Sequence, residues 1–119
     1  MKAVLPNNVL IVGAAASSTG NSDFSDYGGP IVDLWAPGTN WVSLDIGGGT
    51  RTESGTSFAA PTVAGAAALL LAVDPALNGN VAGLRNRLIN TAGGTVDVDV
   101  GCGSAETNRP LLDVNGALQ

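Results

Sequence analysis

The chain is 119 residues long, with 45% hydrophobic and only 13% charged residues. That is one domain's worth of chain, able to bury a core, and the composition excludes a disordered segment. Ten acidic against five basic residues give a net charge of −5, which excludes the basic footprint that nucleic-acid binding needs, and the absence of histidine excludes a His-ligated metal and any Ser-His-Asp triad held within this chain alone.

Met1-Lys2, a run of apolar residues and then Ala14-Ala15-Ala16 have the outline of a secretory signal, but Pro6-Asn7-Asn8 interrupts the run. The stretch reads better as a strand, Val9-Leu10-Ile11-Val12, stopped by Gly13. Unbroken rather than alternating apolarity is what a parallel strand covered on both faces requires. Ser17 to Pro30 is polar and turn-rich and reads as loop. Ile31 to Trp35 reads as a second strand, ended by the turn signal Ala36-Pro37-Gly38. Trp41-Val42-Ser43-Leu44 is a weaker third strand, followed by a glycine-rich polar stretch from Gly47 to Gly55.

Phe58 to Val73 is dominated by alanine, leucine and valine and predicts a helix. Apolar on every side, it reads as a central buried helix; at this length it falls short of the ~20 residues that span a bilayer, so no membrane is implied. Pro61 lies near its start and Asp74-Pro75 ends it. A second helix runs from Val81 to Thr91, capped by Asn80 and closed by Gly93-Gly94. Thr95 to Asn108 reads as loop, and Leu111 to Leu118 as a short last helix.

Several residues are candidates for chemistry. Cys102 stands alone between two glycines and reads as a packing residue, with no cationic neighbour in sequence to activate its thiol. Asp97 and Asp99 read as an exposed loop pair rather than calcium ligands, and no metal site is assigned. Asp45-Ile46-Gly47-Gly48-Gly49-Thr50 is similar to the phosphate-binding hairpin of actin-type ATPases, but the apolar strand that should complete such a hairpin is missing: Arg51-Thr52-Glu53-Ser54 follows.

The segment from Ser54 to Gly65 is more informative. It places Ser57 at the first turn of the apolar helix, just after Gly55. Free N–H groups and the positive end of the helix dipole stabilise negative charge there. A serine at that position can attack a carbonyl whose oxygen becomes an oxyanion, with its own N–H as one donor. The simpler alternative is that Thr56 or Ser57 caps the helix. The α/β-hydrolase elbow G-x-S-x-G is not matched, because Ala59 takes the last position.

Gly55-Thr56-Ser57-Phe58-Ala59-Ala60-Pro61, followed by Val63-Ala64-Gly65, closely resembles the active-site serine segment of the subtilisin-like serine proteases (subtilases, peptidase S8). Four further segments resemble family motifs in the same order. Val9 to Ala14 is similar to V-I-x-V-G-A and Phe24 to Gly28 to F-S-x-x-G; Val32 to Gly38 is similar to V-D-x-x-A-P-G and Pro110 to Leu118 to the closing G-x-L-x-V-x-x-A helix. The resemblance covers essentially the whole chain.

The resemblance implies an α/β fold, the C-terminal part of a subtilisin-like parallel-sheet sandwich whose central helix starts at the nucleophile, with residues 1–119 as a partial domain. It implies Ser57 as nucleophile and oxyanion donor, and Gly55 and Thr56 as substrate-binding residues. The family's catalytic Asp, catalytic His and oxyanion-hole Asn lie upstream of the V-G-A strand, and Asp23, Asp26, Asp33 and Asp45 do not match its aspartate motif. Thr62 replaces a frequent non-catalytic His. The expectation is a C-terminal fragment of a serine endopeptidase, inactive alone, whose peptide or protein substrate is bound once an upstream half completes it. The alternative is a non-catalytic scaffold or peptide-binding domain of the same fold. No cofactor is expected; the resemblance admits calcium without assigning a site. An unpaired sheet edge leads to an expectation of self-association, and family analogy places the protein outside the cytoplasm.

Overall fold

The computed structural model describes residues 8–16, 20, 25, 31–99 and 105–119. The signal-like residues 1–7, the Phe24–Gly28 turn apart from Ser25, and Cys102 lie outside the described residues, as do Asp23 and Asp26. In chain order the elements are β1 (Val12–Ala15), β2 (Leu34–Pro37), β3 (Trp41–Leu44), β4 (Thr50–Glu53), α1 (Thr56–Val73), a 3-10 turn (Pro75–Leu77), α2 (Val81–Asn90), β5 (Gly94–Asp99), β6 (Ala105–Leu111) and α3 (Val114–Ala117). Four strands make one sheet of order β1-β2-β6-β5, and β3 and β4 form a separate hairpin. β1 and β6 both run parallel to β2, whereas β5 pairs antiparallel with β6.

β1 does not stop at Gly13; it runs through it to Ala15, in register with β2 from Val12↔Leu34 to Ala15↔Pro37. Gly13 is there because its neighbour needs the space: a Cβ on Gly13 would lie 2.7 Å from the Trp35 indole ring. β2 likewise begins later than expected and includes Pro37, whose missing N–H costs little at a strand end. Successive residues of both strands face opposite sides of the sheet. Ala14, Leu34 and Ala36 pack on Ala59, Val63 and Leu70 of α1, while Ala15, Val32 and Trp35 pack on Val96 and Val98.

The apolar helix α1 is buried along one face only. Ala59, Val63, Ala66 and Leu70 are inside, whereas Ala60, Ala64, Ala68 and Ala72 face outward, and Leu69 and Val73 are 51% and 60% exposed. α1 has 18 residues with a mean hydropathy of 1.7, and its apolar outer face is what an all-round apolar sequence leaves when one side alone meets the sheet. Pro61 is the sixth helical residue, so it lies beyond the first turn and supplies no N–H to the carbonyl of Ser57 four positions back.

Residues 95–108 are not all loop. β5 and β6 form a hairpin there, and Asp97 and Asp99 belong to β5. Burial of Val96 and Val98 on either side of exposed Asp97 is the period-two pattern of a strand. The last helix is shorter than expected, because Leu111 completes β6 and Asp113 caps α3 by accepting the Gly116 N–H. α2 is capped by Asn80, whose Oδ1 accepts the Gly83 N–H at 2.9 Å.

The strand that the glycine-rich segment was expected to lack is present. β4 is polar, yet it pairs antiparallel with β3 from Trp41↔Glu53 to Leu44↔Thr50. Backbone pairing needs no apolar face. Gly47, Gly48 and Gly49 all take φ between 86° and 98°, a left-handed conformation that makes three consecutive glycines necessary in this turn. Val42 and Leu44 on this hairpin are 66% and 86% exposed.

Candidate active site

The carboxyl ends of β1 and β2 meet the amino end of α1. Gly38, just past β2, donates its N–H to the carbonyl of Ala15 at 3.1 Å, and Gly55 donates its N–H to the carbonyl of Gly38 at 2.8 Å. These two bonds hang the start of α1 from the ends of two parallel strands, the location at which open α/β sheets form their sites. The approach is close: a Cβ on Gly38 would lie 2.6 Å from Ala14 Cβ and 2.9 Å from the Gly55 carbonyl oxygen.

A third contact joins the hairpin to the same place. Ser54 Oγ accepts the N–H of Asn40 at 2.9 Å, and Asn40 takes a left-handed φ of 57°. Trp41 Nε1 donates to the Pro37 carbonyl at 3.0 Å, so the 38% exposed indole lies across the chain leaving β2 rather than in the core. Sequence reasoning did not single out Gly38, Asn40 or Ser54 as supports of the site. Gly38 stands within a recognised motif, but nothing in the sequence signals the Asn40–Ser54 bond.

Gly55 is the N-cap of α1, with an extended backbone and no side-chain cap. The simpler sequence alternative, a capping hydroxyl from Thr56 or Ser57, is therefore not what the structure contains. Thr56 and Ser57 are the first two helical residues and both are exposed. Phe58 N–H bonds to the Gly55 carbonyl at 3.0 Å, while no hydrogen bond among the described residues uses the N–H of Thr56 or Ser57 or the Ser57 hydroxyl. The first turn carries no acidic residue to neutralise the positive helix end. A serine oxygen and two unengaged amides thus share one exposed helix terminus, an arrangement that can present a nucleophile and stabilise a developing oxyanion.

The other candidates do not converge on it. Asp33 is directed elsewhere: it accepts the Ile11 N–H at 3.1 Å and pairs with Arg85 at 2.6 Å, at the amino ends of β1 and β2. Asp45 lies at the hairpin turn, within 3.6 Å of Arg51, which also pairs with Glu53. Thr62 Oγ1 donates to the Phe58 carbonyl of its own helix at 2.8 Å. Asp97 accepts the Asn108 N–H across the β5–β6 hairpin. Among the described residues no cluster of three or more acidic, cysteine or histidine side chains gathers to hold a metal.

Residues 3–111 match the Peptidase S8 model, described as the subtilase family. Subtilisin-like protease 1 of Trichophyton equinum is 42% identical over 112 residues, which cover 94% of this chain and 20% of that protein. Subtilisin-like protease 1 of Arthroderma gypseum (strain ATCC MYA-4604 / CBS 118893) is 49% identical over 74 residues, 62% of this chain and 15% of that protein. Among solved structures, a cold adapted subtilisin-like serine proteinase superimposes with a TM-score of 0.68 at 36% identity, covering 90% of this chain and 38% of its own. The patellamide maturation protease PatA superimposes with a TM-score of 0.70 at 32% identity, covering 98% of this chain and 43% of its own. The chain therefore spans a fifth or less of the length of these curated relatives and about two fifths of these solved ones.

Proposed function

The chain belongs to the subtilase family, and on that premise we propose that it is the nucleophile-bearing C-terminal part of a serine endopeptidase, with Ser57 as the attacking residue. The observation that carries the reading is the position of Ser57: exposed, with a hydroxyl and N–H unengaged among the described residues, on the first turn of a helix held at the carboxyl ends of two parallel strands. In the reaction Ser57 Oγ attacks the scissile carbonyl while a base removes its proton, and the Ser57 N–H donates to the oxyanion. Gly55, which leaves the approach free of a side chain, and Thr56 line the substrate next to it.

The base comes from outside this chain, which holds no histidine. An unassisted serine hydroxyl is a weak nucleophile at neutral pH, so the chain alone is inactive. The outward face of α1 supports completion by another polypeptide segment, and so does the edge of β1. Ile11 and Ala15 direct their carbonyls towards β2, so Val12 and Ala14 point the other way. Ser25 Oγ takes the Ala14 N–H at 3.0 Å, and the rest of that edge is open to an added strand among the described residues. Without such a strand the same edge drives self-association. The substrate is a peptide or protein, with calcium admitted only by likeness to the family.

The test is co-expression with the upstream part of a relative, such as that of the Trichophyton equinum protease, followed by peptidase assay and fluorophosphonate labelling. The assembled complex is expected to label and cleave, the Ser57→Ala complex to do neither, and the purified chain alone to do neither. Ser57-dependent labelling of the lone chain would overturn its dependence on an external base. An assembled but unlabelled complex would overturn the assignment of the nucleophile. A second reading, a non-catalytic domain that adds an extended peptide to the β1 edge, rests on that open edge and predicts peptide binding indifferent to Ser57→Ala.

A further inference from the structure

Two Asn-Gly dipeptides occur in the chain, Asn78-Gly79 and Asn115-Gly116, and the fold treats them differently. Asn78 and Gly79 form the exposed turn between the 3-10 turn and α2. Gly79 has φ +79°, a Cβ built on it would meet nothing within 4 Å, and no hydrogen bond among the described residues uses its N–H. Asn115 and Gly116 lie inside α3. There the Gly116 N–H donates to Asp113 Oδ1 at 3.0 Å, and a Cβ on Gly116 would sit 2.8 Å from the Thr91 carbonyl oxygen.

We propose that Asn78 is a modification site of this chain, its side-chain amide cyclising onto the Gly79 nitrogen and opening in water to aspartate or isoaspartate, while the fold protects Asn115. The Gly79 nitrogen attacks Asn78 Cγ and a new N–Cγ bond forms. The Cγ–Nδ2 bond breaks, and ammonia departs with the proton lost from the Gly79 nitrogen. Water then adds to one of the two ring carbonyls and cleaves its bond to the ring nitrogen. Attack at Cγ restores the chain as aspartate; attack at the backbone carbonyl routes the chain through Cγ as isoaspartate.

Glycine matters because no side chain shields the attacking nitrogen. Ring closure requires Asn78 to leave the ψ of 120° that it holds, which disturbs an exposed turn spanned by the Asn80 N–H to Leu77 carbonyl bond at 2.9 Å. At Asn115 the same rotation has to open α3, release Gly116 from Asp113 and move a glycine packed against Thr91. Isoaspartate lengthens the main chain by a methylene two residues before Asn80, so the modification also loosens the cap that Asn80 gives α2. None of this depends on the protease reading.

The experiment incubates the full chain in mildly alkaline buffer, folded and in urea, and follows isoaspartyl methyltransferase labelling and tryptic peptide masses. Arg85 and Arg87 separate the two sites onto different peptides. Conversion at Asn115 is expected to be roughly tenfold or more slower than at Asn78 in the folded chain, the protection that a local opening free energy of about 1.4 kcal/mol confers. In urea the two sites should convert at similar rates, and Asn78→Gln should remove the signal from its peptide in the folded chain. Equal rates at the two sites in the folded chain would overturn the proposal. So would an intact Asn78 in the folded chain over a time in which both sites convert in urea.

Discussion

The N–H of Gly55 donates to the carbonyl oxygen of Gly38 at 2.8 Å, and this bond joins the helix that carries Ser57 in its first turn to the strand that precedes it by some twenty residues. Gly38 is itself bonded to Ala15 at 3.1 Å. Helix start, β2 and β1 are thus tied by two main-chain bonds, which act together with the Ser54–Asn40 bond and the packing of Ala59 and Val63 on Ala14, Leu34 and Ala36 to set the position of Ser57.

Gly38→Ala therefore strikes the site through its frame. The added methyl would meet Ala14 Cβ at 2.6 Å and the Gly55 carbonyl at 2.9 Å, and neither is the flexible end of a long side chain. Overpacking of this kind costs about 1–3 kcal/mol. A lower urea midpoint with an unchanged slope is the expected result, and an unchanged midpoint would mean that the two strands and the helix separate more easily than the contacts suggest.

Ser57→Ala should do the reverse. The hydroxyl has no hydrogen-bond partner among the described residues and the side chain is exposed. Its removal is expected to leave stability within about 0.5 kcal/mol of the parent. In a complex completed by an upstream segment, the same change should abolish labelling and cleavage. That separation, stability kept and chemistry lost, distinguishes a nucleophile from a helix-capping serine, whose loss costs about 1 kcal/mol.

The sequence announced the site more clearly than its surroundings. Ser57 could be placed at a helix start because a run dominated by alanine, leucine and valine follows it, interrupted only briefly by Pro61, Thr62 and Gly65, and the structure puts it there. The same run misled about burial, since apolar composition on all sides does not say how many sides have neighbours; Leu69 and Val73 are apolar and exposed. β4 was invisible because Thr50–Glu53 pairs through its backbone and presents polar side chains. β5 was legible in the alternation of Val96 and Val98 with aspartates, and was lost only because that pattern lies in a polar, glycine-flanked stretch. Gly13 looked like a strand terminator, whereas the reason for it is the Trp35 ring across the sheet, a contact no local pattern encodes.

The Asp33–Arg85 pair is a polar tie between α2 and the start of β2. Arg85 Nη2 lies 2.6 Å from Asp33 Oδ1, while Oδ2 of the same carboxylate accepts the Ile11 N–H. The Asp33 side chain is 6% exposed and that of Arg85 23%. Removing one partner of a buried pair costs roughly 3–5 kcal/mol, and the partial exposure of Arg85 places Arg85→Met at or below the lower end of that range. In a double-mutant cycle with Asp33→Asn the pair should show coupling well above 0.5 kcal/mol in urea unfolding. Additive effects would reduce the contact to a surface ion pair.

Leu69→Glu tests the outward face of α1. The residue is 51% exposed and lies on the same side as Ala64, Ala68 and Val73, away from the sheet. If that face carries no burden in the chain itself, the substitution should change unfolding free energy by no more than about 0.5 kcal/mol. It should also lower self-association, measured by sedimentation, because a charge interrupts the apolar surface. With an upstream segment supplied, the outcome should differ: burying an unpaired carboxylate at a packed helix face opposes assembly, so complex formation and the restored activity should both fall. A variant that assembles and cleaves as well as the parent would show that the completing segment packs elsewhere. Ser57→Ala serves as the control, since it should assemble normally without cleaving, and the two variants together separate loss of assembly from loss of chemistry.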